Sequence, residues 1–409
     1  MNNAEKQFVH ILSAGIRGKA ADKIYENVEW DEVIDLANKH KVEGIVYLAL
    51  RKSNLVSKIG EKRLSLLKQK AAITGIGQSR HISGLSIVFN KIIEENIPVI
   101  VLKGLVVRDF YPQPDQRTMS DADILVHKDD VEKVKNLLID MGYIFLEDHK
   151  ASHHIALVHN RYPVIEVHWN LFKRDGFSNE LEHYERLIWN RAININVGEA
   201  EVLSLSYEDL ALHLCMHMAA HLASTGFGVR QLCDLVVLVE KKGEEINWNS
   251  FIMKARMYGF EKFRLIMFLL CKKFFDMEIP KELEVSSVNN KKYIAALLDE
   301  IFESGVHGKK EMANQFATQV AFNFEDKDSN PTLGAIKRYF RFIFPRIDDM
   351  SDKYSYAKKV KVLAPIAWIH HLFSGIFASE YTFKDKFEFL TKGAAFATNR
   401  NKLLDWMEL

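Results

Sequence analysis

The chain has 409 residues, 48% of them apolar and 27% charged, with a formal net charge of +1. This is the composition of an ordinary globular protein; it excludes a disordered or coiled-coil chain and gives no global electrostatic reason to expect a nucleic-acid partner. Cys215, Cys233 and Cys271 show no C-x-x-C spacing and no even framework. Together with scattered histidines they predict a reduced, cytoplasmic setting. The opening Met-Asn-Asn-Ala-Glu-Lys lacks the basic start and apolar core of a signal peptide. No run approaches the roughly 18 apolar residues of a spanning helix.

Residues 1–96 read as a helical region. In 30–50, Val33, Leu36, Ala37, Ile45, Val46 and Leu48 recur at helical spacing, with Asp31 as the expected N-cap. From 61 to 93 a second stripe runs through Leu64, Leu67, Ile73, Ile82, Leu85, Val88 and Ile92. Gly75, Gly77 and Gly84 interrupt it and argue against one unbroken helix.

The period changes at Pro98. Residues 98–102, Pro-Val-Ile-Val-Leu, form a short apolar run bounded by proline and Lys103-Gly104, as a buried strand does. A helical turn is expected over 104–110, ended by Tyr-Pro-Gln-Pro. A strand is expected over 121–127. A helix follows to Met141, capped by Asp129 and Asp130, and Gly142 stops it. Further strands are expected over 143–146, 153–158 and 164–171. This order predicts an α+β core with one small mixed sheet over 97–205, between helical regions 1–96 and 206–409. In the latter, helices are expected over 207–223, 229–241 and 291–302, and a polar loop over 325–331.

The chemistry concentrates in this core. Residues i and i+2 of a strand share a face, so Asp121 and Asp123 project together while Ala122 and Ile124 pack behind them. Paired carboxylates repel unless a cation joins them, which suits a divalent metal with oxygen ligands. Glu166, between the apolar Ile165 and Val167, can complete the set, and by alternation His168 shares its face. An isolated Asp-x-Asp is commonly a turn cap and a solvated charge. Here strands disfavour Asp, and the pair runs straight into Ile-Leu-Val. At Lys103-Gly104 a strand hands over to a helix, where glycine lets phosphate approach the backbone and a helix N-terminus favours anions. Arg108 and Arg117 are further expected phosphate contacts.

Leu-Lys-Gly at 102–104, Arg-Thr-Met-Ser-Asp-Ala-Asp-Ile-Leu-Val at 117–126 and Ile-Glu-Val-His-Trp at 165–169 resemble the uncharacterised nucleotidyltransferase family of the DNA polymerase beta-like superfamily. The resemblance implies a Gly motif at Lys103-Gly104, metal binding by Asp121 and Asp123, and Glu166 as the third acid. It implies transfer of a nucleoside monophosphate from an NTP, with Mg2+ or Mn2+, to a hydroxyl-bearing acceptor, releasing pyrophosphate. Asp121, Asp123 and Glu166 would be catalytic and metal-binding; Lys103, Gly104, Arg117 and His168 would contact the nucleotide. Two departures stand out. Leu105 replaces the serine or glycine usual after the motif glycine, and the third acid is Glu rather than Asp. They keep open an inactive nucleotide-binding module, or a metal-dependent phosphotransferase.

The acceptor stays open among a small metabolite, a sugar, a peptide and a tRNA end. Outside the core, His213, His217 and His221 recur every four residues; helix packing or cleft lining is expected over a zinc site, since no H-E-x-x-H pattern is present. Arg230 and Asp234, one turn apart, are expected to pair. The basic, aromatic stretch 337–361, with Tyr339, Phe340, Phe342 and Phe344, is expected to pack as a helix, with peripheral membrane contact or RNA binding as the alternatives.

Overall fold

The computed structural model describes residues 1–146, 154–171, 179–224, 226–283, 290–305, 344–347, 350–377 and 399–409. The chain divides into two compact units: Met1–His217 with Val229–Val288, and Met218–Gly228 with Asn289–Leu409.

The first unit opens with helices. α1 (Asn3–Gly15) is set by a reciprocal cap in which the Glu5 amide donates to Asn2 Oδ1 and the Asn2 amide to Glu5 Oε2. α2 (Trp30–Lys39) and α3 (Glu43–Leu50) are separate helices, because Lys41 takes a left-handed φ of 55° between them. Asp31 is not the α2 cap; Glu29 holds that position, and Asp31 accepts two bonds from one edge of the Arg63 guanidinium, Nε and Nη2, each at 2.6 Å. After α4 (Val56–Ile59) comes α5 (Glu61–Glu94), 34 residues without a break. Its glycines do not interrupt it, since the buried stripe Leu67, Ala71, Gln78, Ile82, Leu85, Phe89 and Ile92 is held by packing that outweighs their weak propensity.

The sheet follows: β1 (Ile100–Val101), β2 (Asp121–Leu125), β3 (Ile144–Leu146), β4 (His154–Val158), β5 (Val164–His168), β6 (Ile193–Val197) and β7 (Ala200–Ser204). Its order is β3-β4-β5-β2-β1-β7-β6. β2 and β5 are parallel, as are β1 and β7; the other neighbours are antiparallel. This is the mixed sheet of the expected α+β class. Between β1 and β2 lie α6 (Gly104–Val107) and two 3-10 turns; between β2 and β3 lies α7 (Val131–Asp140). Asp130 stands at the α7 N-cap without a capping hydrogen bond and pairs with Lys133 instead, and a 3-10 turn holds Asp129. The β6–β7 hairpin was not foreseen, although Ile-Asn-Ile-Asn-Val alternates with period two and Gly198 (φ 61°) with Glu199 forms its turn.

α5 fixes the approach to β2. Gln78 clasps the backbone of Met119 through both amide atoms, donating to its carbonyl at 2.9 Å and accepting from its N–H at 3.1 Å. Gln116 donates to the Ala71 carbonyl at 3.2 Å, and Thr118 Oγ1 to the Lys41 carbonyl at 2.6 Å. Helices α8 (Asn179–Arg191), α9 (Tyr207–Ser224), α10 (Val229–Lys242), α11 (Trp248–Met257) and α12 (Glu261–Phe275) follow; α9 passes out of this unit after His217.

In the second unit, α13 (Lys291–Ser304) is capped by Asn290, and α14 (Ser355–Lys359) and α15 (Ala364–Phe377) follow. Tyr354, Met350, Ala357 and Ala367 form a small core. Arg400 bonds Glu300 and the Leu222 carbonyl. The loop expected at 325–331, and Tyr339, Phe340 and Phe342, lie outside the described residues. Among the described residues no helix is long and apolar enough to cross a membrane.

Candidate active site

Two strands, β2 and β5, deliver the acids. Leu102 donates its N–H to the Asp123 carbonyl at 3.0 Å, locking the end of β1 to β2. Asp123 lies opposite Glu166 in the parallel β2–β5 register, and Leu125 opposite His168. β4 brings His154 opposite His168, with ring centroids 5.0 Å apart.

Asp123 is the centre. It is only 6% exposed, and its Oδ1 receives Lys103 Nζ at 2.9 Å and lies 3.1 Å from His168 Nε2. Burial alone would raise its pKa; the Lys103 charge, then the His168 hydrogen bond and charge, hold it well below the usual carboxylate range. His168 Nε2 also lies 3.5 Å from Glu166 Oε2. Burial lowers the His168 pKa, but hydrogen bonds to Asp123 and Glu166 outweigh it and leave the imidazole raised. Asp123, Glu166 and His168 each offer a ligand atom, all within 4.8 Å of one another, and they are the one such trio among the described residues. His213, His217 and His221 form none.

Asp121, at the exposed start of β2, borders this cluster. Its Oδ1 receives the Ser120 hydroxyl at 3.2 Å. Its pKa is raised, by desolvation first and then by the Asp123 charge, with Glu166 adding to it and Lys103 opposing.

Lys103 reaches Asp123 from a tight turn. Its φ of 49° and ψ of −118°, with the Leu105 N–H bonded to the Leu102 carbonyl at 3.3 Å, are those of a type II′ turn with lysine where glycine is usual. Such a conformation costs about 1–3 kcal/mol and persists where the surroundings enforce it. Gly104 is required by close approach, because a Cβ there would strike the Arg117 guanidinium and the Met119 sulfur.

Both arginines expected at phosphate are held by acids. Arg117 is buried and clamped by Asp234, Nη2 to Oδ2 at 2.5 Å and Nε to Oδ1 at 3.1 Å, while Tyr111 Oη donates to the same Oδ1 at 2.8 Å. Burial works against the Arg117 charge and Asp234 restores it, so its pKa ends raised. Asp234 therefore pairs with Arg117 rather than with Arg230, one turn away. Arg108 is taken up by Asp115 at 2.6 Å.

Two further histidines lie in this field: His154, which had no role from the sequence, and His213, expected to pack in its helix or line the cleft. His154 has a lowered pKa, from burial first and then the charge of His168. His213 is buried, its pKa lowered to about 3 by desolvation and then by Lys103, within range of the Asp123 and His168 charges. Alternation in β4 could have flagged His154; only the tertiary fold brings His213 near.

A family model described as uncharacterised nucleotidyltransferase matches residues 26–276. The chain belongs to that family. The match takes in every residue of the site, so the nucleotidyltransferase assignment makes a nucleotide a substrate and nucleotidyl transfer the reaction class. A search of the curated proteins finds no match. Among solved structures, the antibiotic-resistance factor ANT(2'')-Ia is similar at 9% identity and a TM-score of 0.33, over 44% of this chain and 92% of that one. An antigenic nucleotidyltransferase-like protein from Paracoccidioides brasiliensis is similar at 10% identity and a TM-score of 0.29, over 49% of this chain and 94% of that one.

Proposed function

We propose that this nucleotidyltransferase moves a nucleoside monophosphate from ATP or another NTP to an acceptor hydroxyl, releasing pyrophosphate, with Mg2+ or Mn2+ as cofactor in the cytoplasm. The convergence of Asp123, Glu166 and His168 within 4.8 Å supports this reading most directly. The donor set fits a hard divalent cation: an ionised, buried Asp123, a half-buried Glu166 and a neighbouring Asp121 whose proton affinity is raised by desolvation first and then by the Asp123 charge. Asp121, Asp123 and Glu166 would hold the ion, with His168 beside them. When bound, it would neutralise charge on the triphosphate and acidify the acceptor hydroxyl.

The chain's own groups supply the rest. Lys103 and His168 keep Asp123 ionised. Glu166, the more exposed of the cluster's two inner acids, receives the acceptor proton on its carboxylate. Gly104 admits the Arg117 guanidinium, and Arg117, fixed by Asp234, maintains the turn along which the phosphates would lie. We place the catalytic core at 97–205, between helical regions 1–96 and 206–409.

The test is pyrophosphate release from each NTP with Mg2+ across an acceptor screen, wild type beside Asp123→Asn and Glu166→Gln. Both variants should lose at least ~100-fold while remaining folded; undiminished release by either would remove that residue from the site. Leu105, buried where a serine is usual in the superfamily, favours one second reading, a nucleotide-binding module without turnover. NTP binding with no pyrophosphate release for any acceptor would select it, and release of orthophosphate or ADP would select a phosphotransferase.

A further inference from the structure

Arg230 is the second residue of α10, and its Nη1 donates to the Thr118 carbonyl at 2.9 Å. Arg117 Nη1 donates to that same carbonyl at 3.0 Å. The two guanidiniums are not equivalent. Arg117 is balanced by Asp234 through two bonds, whereas Arg230 has no ion-pair partner among the described residues. The Arg230 Nε is buried without a hydrogen-bond partner among them. A cation in the first turn of a helix also faces the positive end of the helix dipole. Consistent with this, the Arg230 pKa is drawn down to about 10, by desolvation first and by Arg117 next. A half-buried positive charge beside a second guanidinium, with an unused donor, is an arrangement that an anion completes.

Its position says which anion. The Arg117 guanidinium packs directly on Gly104, at the turn where Lys103 leaves β1. Arg230 meets that guanidinium at Thr118, three residues before Asp121. The cations therefore flank the glycine turn, and the acids of β2 and β5 lie beyond it. Lys103 already pairs with Asp123 and Arg117 with Asp234, so the uncompensated charge beside the glycine turn is that of Arg230, and it suits an anion that lies along that turn.

We propose that Arg230 is a polyphosphate-binding residue, which with the Lys103-Gly104 turn takes the anionic tail of the nucleotide in place of a hydroxyl at position 105. This rests on the nucleotidyl-transfer reading for the identity of the ligand, but not on the metal site.

The probe is inorganic tripolyphosphate, titrated calorimetrically into the full chain in EDTA. Wild type should bind it, Arg230→Met should bind at least ~10-fold more weakly, Arg230→Lys should fall between, and ATP should compete. Tripolyphosphate should also raise the melting temperature of wild type more than that of Arg230→Met. Equal affinity in wild type and Arg230→Met, absence of wild-type binding, or simultaneous binding of ATP and tripolyphosphate would each overturn the proposal. If Arg230→Met does not fold, Arg230→Lys and Arg230→Gln carry the same comparison. Asp123→Asn separates the two readings: it should keep tripolyphosphate binding in EDTA yet lose Mg2+-dependent NTP binding. An Asp123→Asn chain with intact Mg2+-NTP binding, beside a defective Arg230→Met, would sink the metal site and leave the anion site standing.

Discussion

At the scale of single residues, burial decides protonation. His40 is wholly buried, accepts the Val229 amide on Nδ1 at 3.1 Å and stacks on Phe8 at 5.6 Å. Its pKa is lowered from 6.5 to about 3, by desolvation first and then by Lys39 and Arg230. The folded state thus refuses a proton that the unfolded state accepts below 6.5. The stability from a neutral His40 is complete above that pH and is lost progressively as pH falls toward about 3. At about pH 5.5, one unit below the unfolded value, the loss is about 1.4 kcal/mol from this residue. Urea melts of wild type and His40→Gln at about pH 7.5 and 5.5 measure it. The stability difference between the two chains should shrink by that amount on acidification, and an unchanged difference would contradict the assignment.

The residues of the site were legible unevenly, for a physical reason. Asp121, Asp123 and Glu166 could be found because strand alternation and the rarity of Asp in strands are local signals. His168 followed from the same alternation. Arg117 could be singled out as basic and near the motif, but its partner Asp234 is over a hundred residues away, and nothing local distinguishes Asp234's pull on Arg117 from a pull on Arg230. His213 joins the electrostatics of the site only through tertiary packing.

At the scale of elements, the sign of a glycine substitution depends on what the helix touches. Gly15 ends α1 against α3, and a Cβ there would lie 2.7 Å from both the carbonyl oxygen and Cγ2 of Ile45. Backbone cannot yield as a side chain can, so Gly15→Ala should destabilise by about 1–3 kcal/mol despite its better helix propensity. Gly77, in the middle of α5, meets nothing within 4 Å, and Gly77→Ala should stabilise by about 0.5–1 kcal/mol. Thermal melts of the pair should move in opposite directions; a shared direction would show that propensity or packing alone governs both. The same contrast explains what the sequence revealed of the helices. Their existence followed from periodicity. The break at Lys41 and the continuity of α5 depended on which glycines and turns the tertiary contacts would tolerate.

At the scale of the whole molecule, the two-residue β1 is the keystone of the sheet. It pairs with β2 on one side and β7 on the other, and Lys103 springs from its end. β2 follows within a score of residues, whereas β7 lies roughly a hundred residues later in the chain. On a ribosome adding about 5–20 residues each second, β1 keeps one open edge for about 5–20 s before β7 emerges, and longer still before the exit tunnel releases it. The site is therefore assembled late in synthesis, although its acids are translated early. Stalled nascent chains ending near residue 190 should be cut readily by trypsin between β1 and β2, and chains ending near 280 should resist; equal resistance would mean the sheet's first half closes alone. For a growing chain, the β6–β7 hairpin is the moment at which an exposed edge becomes an interior.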